Sequence, residues 1–158
     1  MLKWIARISG LCMPVAALVI LVDVVTRNLG YQLPEMGSTR LQELEWHLHG
    51  VLIVLWIGYI NAIDGHIRID VISSAVPRPV ARILDIVGTL LLALPYSTFL
   101  LYNTYQFAIR SYLQDEMSVS PSGLPHLWII KFIFLAGIAL LWISVIKRAF
   151  QLIRGGQA

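Results

Sequence analysis

The sequence predicts an all-α integral membrane protein with four transmembrane helices and interfacial amphipathic helical segments. Of its 158 residues, 58% are hydrophobic and 13% are charged, whereas a soluble domain has about 25% charged residues. The charges are clustered, so four long apolar windows remain, each close to the roughly 20 helical residues that cross a bilayer. Unpaired backbone groups are too costly in lipid, so each window is predicted to be helical. We expect one four-helix membrane domain over residues 1–158.

The first predicted span covers residues 8–25 and follows Lys3 and Arg7. This basic start is also typical of a secretory signal peptide. However, the apolar run is longer than the roughly 7 to 15 residues of a signal peptide, and no A-x-A cleavage site follows it. We therefore expect the first span to stay in the protein.

The second predicted span covers residues 46–63 and is preceded by the segment STRLQELEWHL. Thr39 and Gln42 fit a capping box, which predicts a helix start at this point. Its first turns would lie at the membrane surface, with Leu41, Leu44 and Leu48 on one face, before the helix continues into the span. Gly58 and Ala62 form a small-xxx-small pair suited to helix packing.

The third and fourth predicted spans cover residues 83–101 and 127–146. Helical spacing continues beyond the third span through YNTYQFAIRSYLQ, giving about 31 residues or about 46 Å of helix. This exceeds the bilayer core and predicts a tilt or a projecting end. Pro95 should kink this helix, and SVSPSGLP should break the chain before the fourth span. An aromatic belt is expected from the following residues: Tyr96, Tyr102, Tyr105, Tyr112 and Trp128.

Basic residues predict the orientation of the four spans. Eight lie in the two termini and the 64–82 loop: Lys3, Arg7, Arg68, Arg78, Arg82, Lys147, Arg148 and Arg154. Four lie on the other side: Arg27, Arg40, Arg110 and Lys131. The positive-inside rule then places both termini and the 64–82 loop in the cytoplasm. The net charge of +3 is explained by topology, and no nucleic-acid partner is expected.

Ionisable residues within the spans are few, and none lies at mid-depth. Asp23 should pair with Arg27 four residues later, Asp85 suits the start of a helix, and Lys131 can extend its side chain outward. A transporter that works alone needs polar groups at the midplane and usually an internal repeat. Motifs of soluble enzymes are also absent, and the lone Cys12 is interpreted as a small hydrophobe. We predict no catalytic, substrate-binding or metal-binding residue and no cofactor.

The main alternative is a membrane anchor subunit of a redox or signalling complex. Four-helix cytochrome b anchors bind haem through paired histidines. His47, His49 and His126 lie at the outer ends of spans, and His66 lies in the cytoplasmic loop. Only a haem at the outer face, held by His126 with His47 or His49, is conceivable. A b-type absorption band would support this alternative.

Two stretches resemble a known family. LQELEWHLHGVLIVLWIGYINAIDGHIRIDV contains a short turn of the form G-H-[IV]-R-[IV]-D. DEMSVSPSGLPHLWIIKFIFLAGIALLW has the pattern S-P…G-L-P…W…K, matched by Pro121, Gly123, Leu124, Pro125, Trp128 and Lys131. Both are similar to the DctQ-like small membrane subunits of tripartite ATP-independent periplasmic (TRAP) transporters.

The resemblance implies a small accessory or scaffold subunit in a bacterial or archaeal cytoplasmic membrane. Its implied partners are a large DctM-like membrane subunit, which carries the substrate and sodium sites, and a periplasmic DctP-like binding protein, which delivers an organic acid. The small subunit would brace the large one while sodium drives uptake. Candidate contacts with the partner or with lipid are Glu43, Glu45, Trp46, Asp64, His66, Arg68, Asp70, Trp128 and Lys131.

Overall fold

The computed structural model describes residues 2–31, 33–63 and 77–154. In these ranges the regular secondary structure is helical, apart from an isolated bridge between Leu33 and Met36. The α-helices are α1 (Leu2–Gly10), α2 (Cys12–Asn28), α3 (Ser38–Ala62), α4 (Arg78–Val87), α5 (Leu94–Leu113) and α6 (Trp128–Ile153), and a π-helical segment at Gly88–Ala93 joins α4 to α5. The predicted all-α class is confirmed for the described residues.

Three helical stretches among the described residues are long and apolar enough to cross a membrane: Lys3–Asn28, Pro79–Leu113 and Trp128–Ile153. Although α3 has 25 residues, it does not reach this standard. Glu45, His47 and His49 interrupt its first half, and Asn61 lies near its end. The structure therefore supports a multi-pass membrane protein with three candidate spans, and the predicted fourth crossing is not established.

The first predicted span contains a break at Leu11 between α1 and α2. Pro14 has no N–H to donate to the carbonyl of Gly10, and its ring crowds that carbonyl. The Leu11 amide donates to the Ile8 carbonyl at 3.0 Å instead, so the chain tightens before the helix resumes at Cys12. Pro14 is thus the residue from which this break could have been predicted.

The third predicted span is irregular before Pro95. In the π-helical segment Gly88–Ala93, the Leu94 amide donates to the Thr89 carbonyl five residues back. Pro95 lies in the first turn of α5, where a missing N–H is tolerated. The whole stretch Pro79–Leu113 has 35 residues, or about 50 Å at 1.5 Å per residue, which exceeds the bilayer core as predicted.

Helices α3 and α6 form the centre of the bundle, with α1 and α2 against α3 and with α5 against α6. A Cβ at Gly58 of α3 would lie 3.0 Å from the Leu141 nitrogen, and one at Gly137 of α6 would lie 2.6 Å from the Val54 carbonyl oxygen. The two backbones therefore approach closely because both glycines lack a side chain. Ala62, the predicted partner of Gly58, is exposed.

Single polar contacts connect the packed helices. The Trp56 indole on α3 donates to the Ala6 carbonyl on α1 at 2.7 Å. Between the central helices, Asn61 donates to the Ser144 hydroxyl at 2.8 Å. The Trp142 indole on α6 donates to the Thr98 hydroxyl on α5 at 3.0 Å. Each bond joins one donor to one acceptor on the neighbouring helix. A rotation of either helix about its axis would separate the two atoms, so these bonds fix the orientation of the helices.

Candidate interaction site

Polar side chains concentrate at the end of the bundle where α3 and α6 begin and where α2 and α5 end. We call this the loop end, because it carries the connections 29–37 and 114–127. The sequence alone did not predict that these two connections contact each other. The contacts described below join them directly through side chains of α3.

Glu43 on α3 holds the 114–127 connection. Its carboxylate accepts hydrogen bonds from the Ser118 hydroxyl and from the Leu124 amide, the latter at 2.6 Å. One turn earlier, Arg40 donates from Nε to the Gly123 carbonyl at 3.1 Å and from a terminal nitrogen to the Glu35 carbonyl. We call the set Arg40, Glu43, Ser118, Gly123 and Leu124 the Glu43 clasp. Bonds to a charged acceptor are stronger than bonds between neutral groups.

The connection is folded to fit the carboxylate. The Ser118 amide donates to the Leu124 carbonyl at 3.1 Å, and the Gly123 amide donates to the Ser120 carbonyl at 2.9 Å. A Cβ at Gly123 would overlap Ser118 and would lie 2.7 Å from Oε1 of Glu43. Glycine is therefore required at this position for steric reasons. Gly123 and Leu124 belong to the motif quoted above, but Ser118 and Arg40 gave no separate signal in the sequence.

Lys131 secures the base of the same connection. It is 7% exposed, its ammonium pairs with the Glu116 carboxylate, and it lies 3.7 Å from the centroid of the Phe107 ring. The hydrogen bond that Lys131 donates lowers the pKa of Glu116. The Leu127 amide also donates to the Glu116 carbonyl at 2.8 Å. Lys131 thus neutralises a carboxylate of its own chain.

Two residues with left-handed backbone mark the ends of this connection. Asp115 has φ of 43° and His126 has φ of 56°. Oδ1 of Asp115 and Nδ1 of His126 lie 2.8 Å apart. Trp128 follows, packed edge-on against Tyr112 with ring centroids 5.3 Å apart. The predicted contact residue Trp128 therefore belongs to an aromatic group at the junction of α5 and α6.

The 29–37 connection is held by Asp23 and Ser38. Asp23 is buried, and its carboxylate accepts a hydrogen bond from the Ser38 hydroxyl. Among the described residues this serine is its partner, so the predicted Asp23–Arg27 pair is wrong. The predicted capping box is also wrong: Gly37 is the N-cap of α3, without a side-chain cap bond. Gln42 instead donates to Ser38.

Glu45 and Trp46 lie beside the clasp on a different face of α3. Trp46 is 79% exposed. Oε1 of Glu45 is buried and has no hydrogen-bond partner within the described part of the chain. Both residues line an open groove of about 430 Å³ with Ile20, His49, Gly50 and Ile53. The predicted contact residues Asp64, His66, Arg68 and Asp70 lie outside the described residues.

The geometry provides structural ties between helices and connections. In the described ranges no three residues of the types His, Cys, Asp and Glu are grouped to hold a metal ion. The polar groups of the loop end mostly bond to one another, and three apolar stretches could cross a membrane. The chain is therefore defined as a multi-pass helical membrane protein with a polar, tightly tied loop end.

Comparison with known proteins identifies the family to which the chain belongs. The model for "Tripartite ATP-independent periplasmic transporters, DctQ component" matches residues 4–155. The match spans nearly the whole chain, so the protein belongs to the DctQ family of small TRAP transporter subunits. Comparison with curated proteins and with solved structures found no significant match.

Proposed function

We propose that the protein is the accessory subunit of a sodium-coupled TRAP transporter, bracing a large transport subunit during uptake of an organic acid. The family match supports membership in a tripartite system. One observation carries the accessory role: α3 and α6 meet backbone to backbone at Gly58 and Gly137. Where these two backbones meet, no room is left for a substrate between the helices, and such close contact suits a rigid brace.

The proposal includes a fourth crossing by α3, with both termini in the cytoplasm. α3 lies against the α1–α2 stretch from Ser38, bonded to Asp23, to Trp56, bonded to Ala6. It therefore extends along most of a helical stretch that is itself long and apolar enough to cross. Neighbouring helices would shield part of the polar surface of α3 from lipid. The excess of basic residues in the termini supports the orientation.

The partners in this proposal are a large DctM-like subunit and a DctP-like binding protein. Asp64, His66, Arg68 and Asp70 would fix the cytoplasmic connection against the large subunit or lipid headgroups. Trp128 would serve as an interfacial anchor next to Lys131. Glu43 would act indirectly, by holding the 114–127 connection in the shape that partners meet.

Co-expression with the large subunit tests the proposal. We expect the two chains to purify together, and we expect sodium-driven uptake in liposomes only when the large subunit and the binding protein are present. Uptake by the small chain alone would contradict the accessory role. A b-type haem band in the purified chain would favour the redox-anchor alternative instead.

A further inference from the structure

We infer that one exposed face of α3 receives a membrane helix of the large subunit that carries a basic side chain, which pairs with Glu45. The inference rests on the proposed function and specifies where and through what chemistry the partner binds. We call this face the α3 seam, and it consists of Gln42, Trp46, His49, Ile53 and Trp56.

The seam has the spacing of a helix–helix contact. Its residues are the exposed ones on α3 between Gln42 and Trp56, and they follow one another at intervals of four, three, four and three. Alternating intervals of this kind average 3.5 residues, the repeat by which one helix packs along another. Trp46 and Ile53 are 79% and 60% exposed. The remaining sides of α3 are occupied by α1, α2 and α6.

Glu45 indicates which kind of side chain the partner helix carries. Its Oε1 atom is buried and lacks a donor within the described part of the chain, and the residue itself lines the groove with Trp46 and His49. A buried carboxylate oxygen without a donor is costly, so natural structures supply one. The missing group is therefore a donor, and the negative charge of the carboxylate selects a basic side chain.

Depth in the membrane favours protein over lipid as the occupant. With Ile63 at one boundary, His49 lies about 21 Å along α3 at 1.5 Å per residue, inside a hydrocarbon core of about 30 Å, whereas Glu45 lies near the opposite boundary at about 27 Å. Acyl chains offer no hydrogen-bond partner to His49, which is exposed on the seam. Residues of this kind within spans face other protein groups. A helix of the partner can satisfy the carboxylate and cover Trp46 and Ile53 at the same time.

Photo-crosslinking in the intact complex tests the location. A benzoylphenylalanine replaces Ile53 on the seam or, as the control, Phe99 on α5, which is similarly exposed at 66%. We expect the adduct with the large subunit to be at least tenfold more abundant from position 53. Adducts at position 53 only with lipid, or only with a second copy of this chain, would overturn the inference. If the large subunit still co-purifies in that case, the proposed function stands.

Substitution of Glu45 tests the chemistry. Glu45→Gln keeps the shape and removes the charge, and we expect it to weaken the affinity between the two subunits about tenfold, as for the loss of a charged hydrogen bond. Glu45→Asp keeps the charge and should recover most of the affinity. The melting temperature of the isolated small subunit should be the same for both variants. Unchanged affinity in Glu45→Gln would rule out a basic partner.

Discussion

Glu43 and Lys131 hold the 114–127 connection at two points, its tip and its base. Glu43 reaches the tip through Ser118 and Leu124, and Lys131 pairs with Glu116 at the base. In both cases, the charged side chain binds a partner within the same chain. The polar residues near the membrane surface therefore contribute to the shape of this connection, whatever partner it meets.

Replacing Glu43 with alanine should open the tip of the connection. The Leu124 amide loses a charged acceptor, and bonds of this type contribute about 1.5–3 kcal/mol each. Hydrogen exchange of residues 118–124 should accelerate by at least tenfold. Asp85→Asn, which also removes one negative charge but lies on α4, should leave this exchange unchanged. Equal acceleration in both variants would indicate a general effect of charge.

Acid should weaken the tie between Glu116 and Lys131. The pKa of Glu116 is lowered from its ordinary value of 4.5, chiefly by the bond from Lys131. The unfolded state thus binds protons more readily, so the contribution to stability is complete above about pH 5 and is lost as the pH falls through the lowered pKa. In detergent, the melting temperature should fall below pH 4.5, and part of this fall should be absent in Glu116→Gln.

Residue pairings were the hardest feature to predict from sequence. Glu43, Trp128 and Lys131 were selected, after the family resemblance, as candidate contacts with a partner subunit or with lipid. Their partners Ser118, Tyr112 and Glu116 depend on how the 114–127 connection folds back. That fold relies on left-handed backbone at Asp115 and His126, which neither residue type guarantees. The predicted Asp23–Arg27 pair is wrong because Asp23 accepts a hydrogen bond from Ser38, at the start of the next helix.

At the scale of helices, the contact between α3 and α6 depends on two glycines. Gly137→Ala would place a Cβ 2.6 Å from the Val54 carbonyl oxygen. The backbones must separate, and overpacking of this kind typically costs about 1–3 kcal/mol. We expect a lower melting temperature and a weaker Asn61–Ser144 contact.

Gly88→Ala is the matched control, because nothing lies within 4 Å of a Cβ at that position. Alanine is favoured over glycine in helices by about 0.5–1 kcal/mol. The control should therefore unfold at the same temperature as the natural protein or slightly higher. A larger loss in Gly88→Ala than in Gly137→Ala would contradict the packing described for α3 and α6.

Helices themselves were largely predictable, since long apolar windows have few alternatives in a membrane. The local irregularities of the helices were harder to predict. The sequence marked Pro95, but the π-helical segment forms at Gly88–Ala93, because bonding is rearranged in the turns before a proline. The start of α3 was predicted within one or two residues, yet Gly37 rather than a hydroxyl side chain occupies the N-cap. Several residues can begin a helix once neighbouring contacts fix its position.

At the scale of the whole molecule, the loop end should face the outside of the cell. In a Cys12→Ser background, cysteines at Tyr31 and Ser122 should react with a membrane-impermeant maleimide in intact cells. A cysteine at Lys3 should react only after permeabilisation. Labelling of position 31 without position 122 would contradict the shared loop end, and labelling of position 3 alone would reverse the orientation.

The low apolarity of α3 has a consequence for synthesis. A segment with Glu45, His47 and His49 enters lipid reluctantly by itself, because each polar residue raises the free energy of insertion. α2 has already been made when α3 emerges from the ribosome, but α6 follows only about 65 residues later. Until then, α3 can pack only against the α1–α2 stretch. Two hydrogen bonds hold this contact, one from Ser38 to Asp23 and one from Trp56 to Ala6. In the proposed four-span arrangement, the first half of the chain therefore enters the membrane as a hairpin, and we expect the loss of those two bonds to cause degradation of the nascent protein before any complex can assemble.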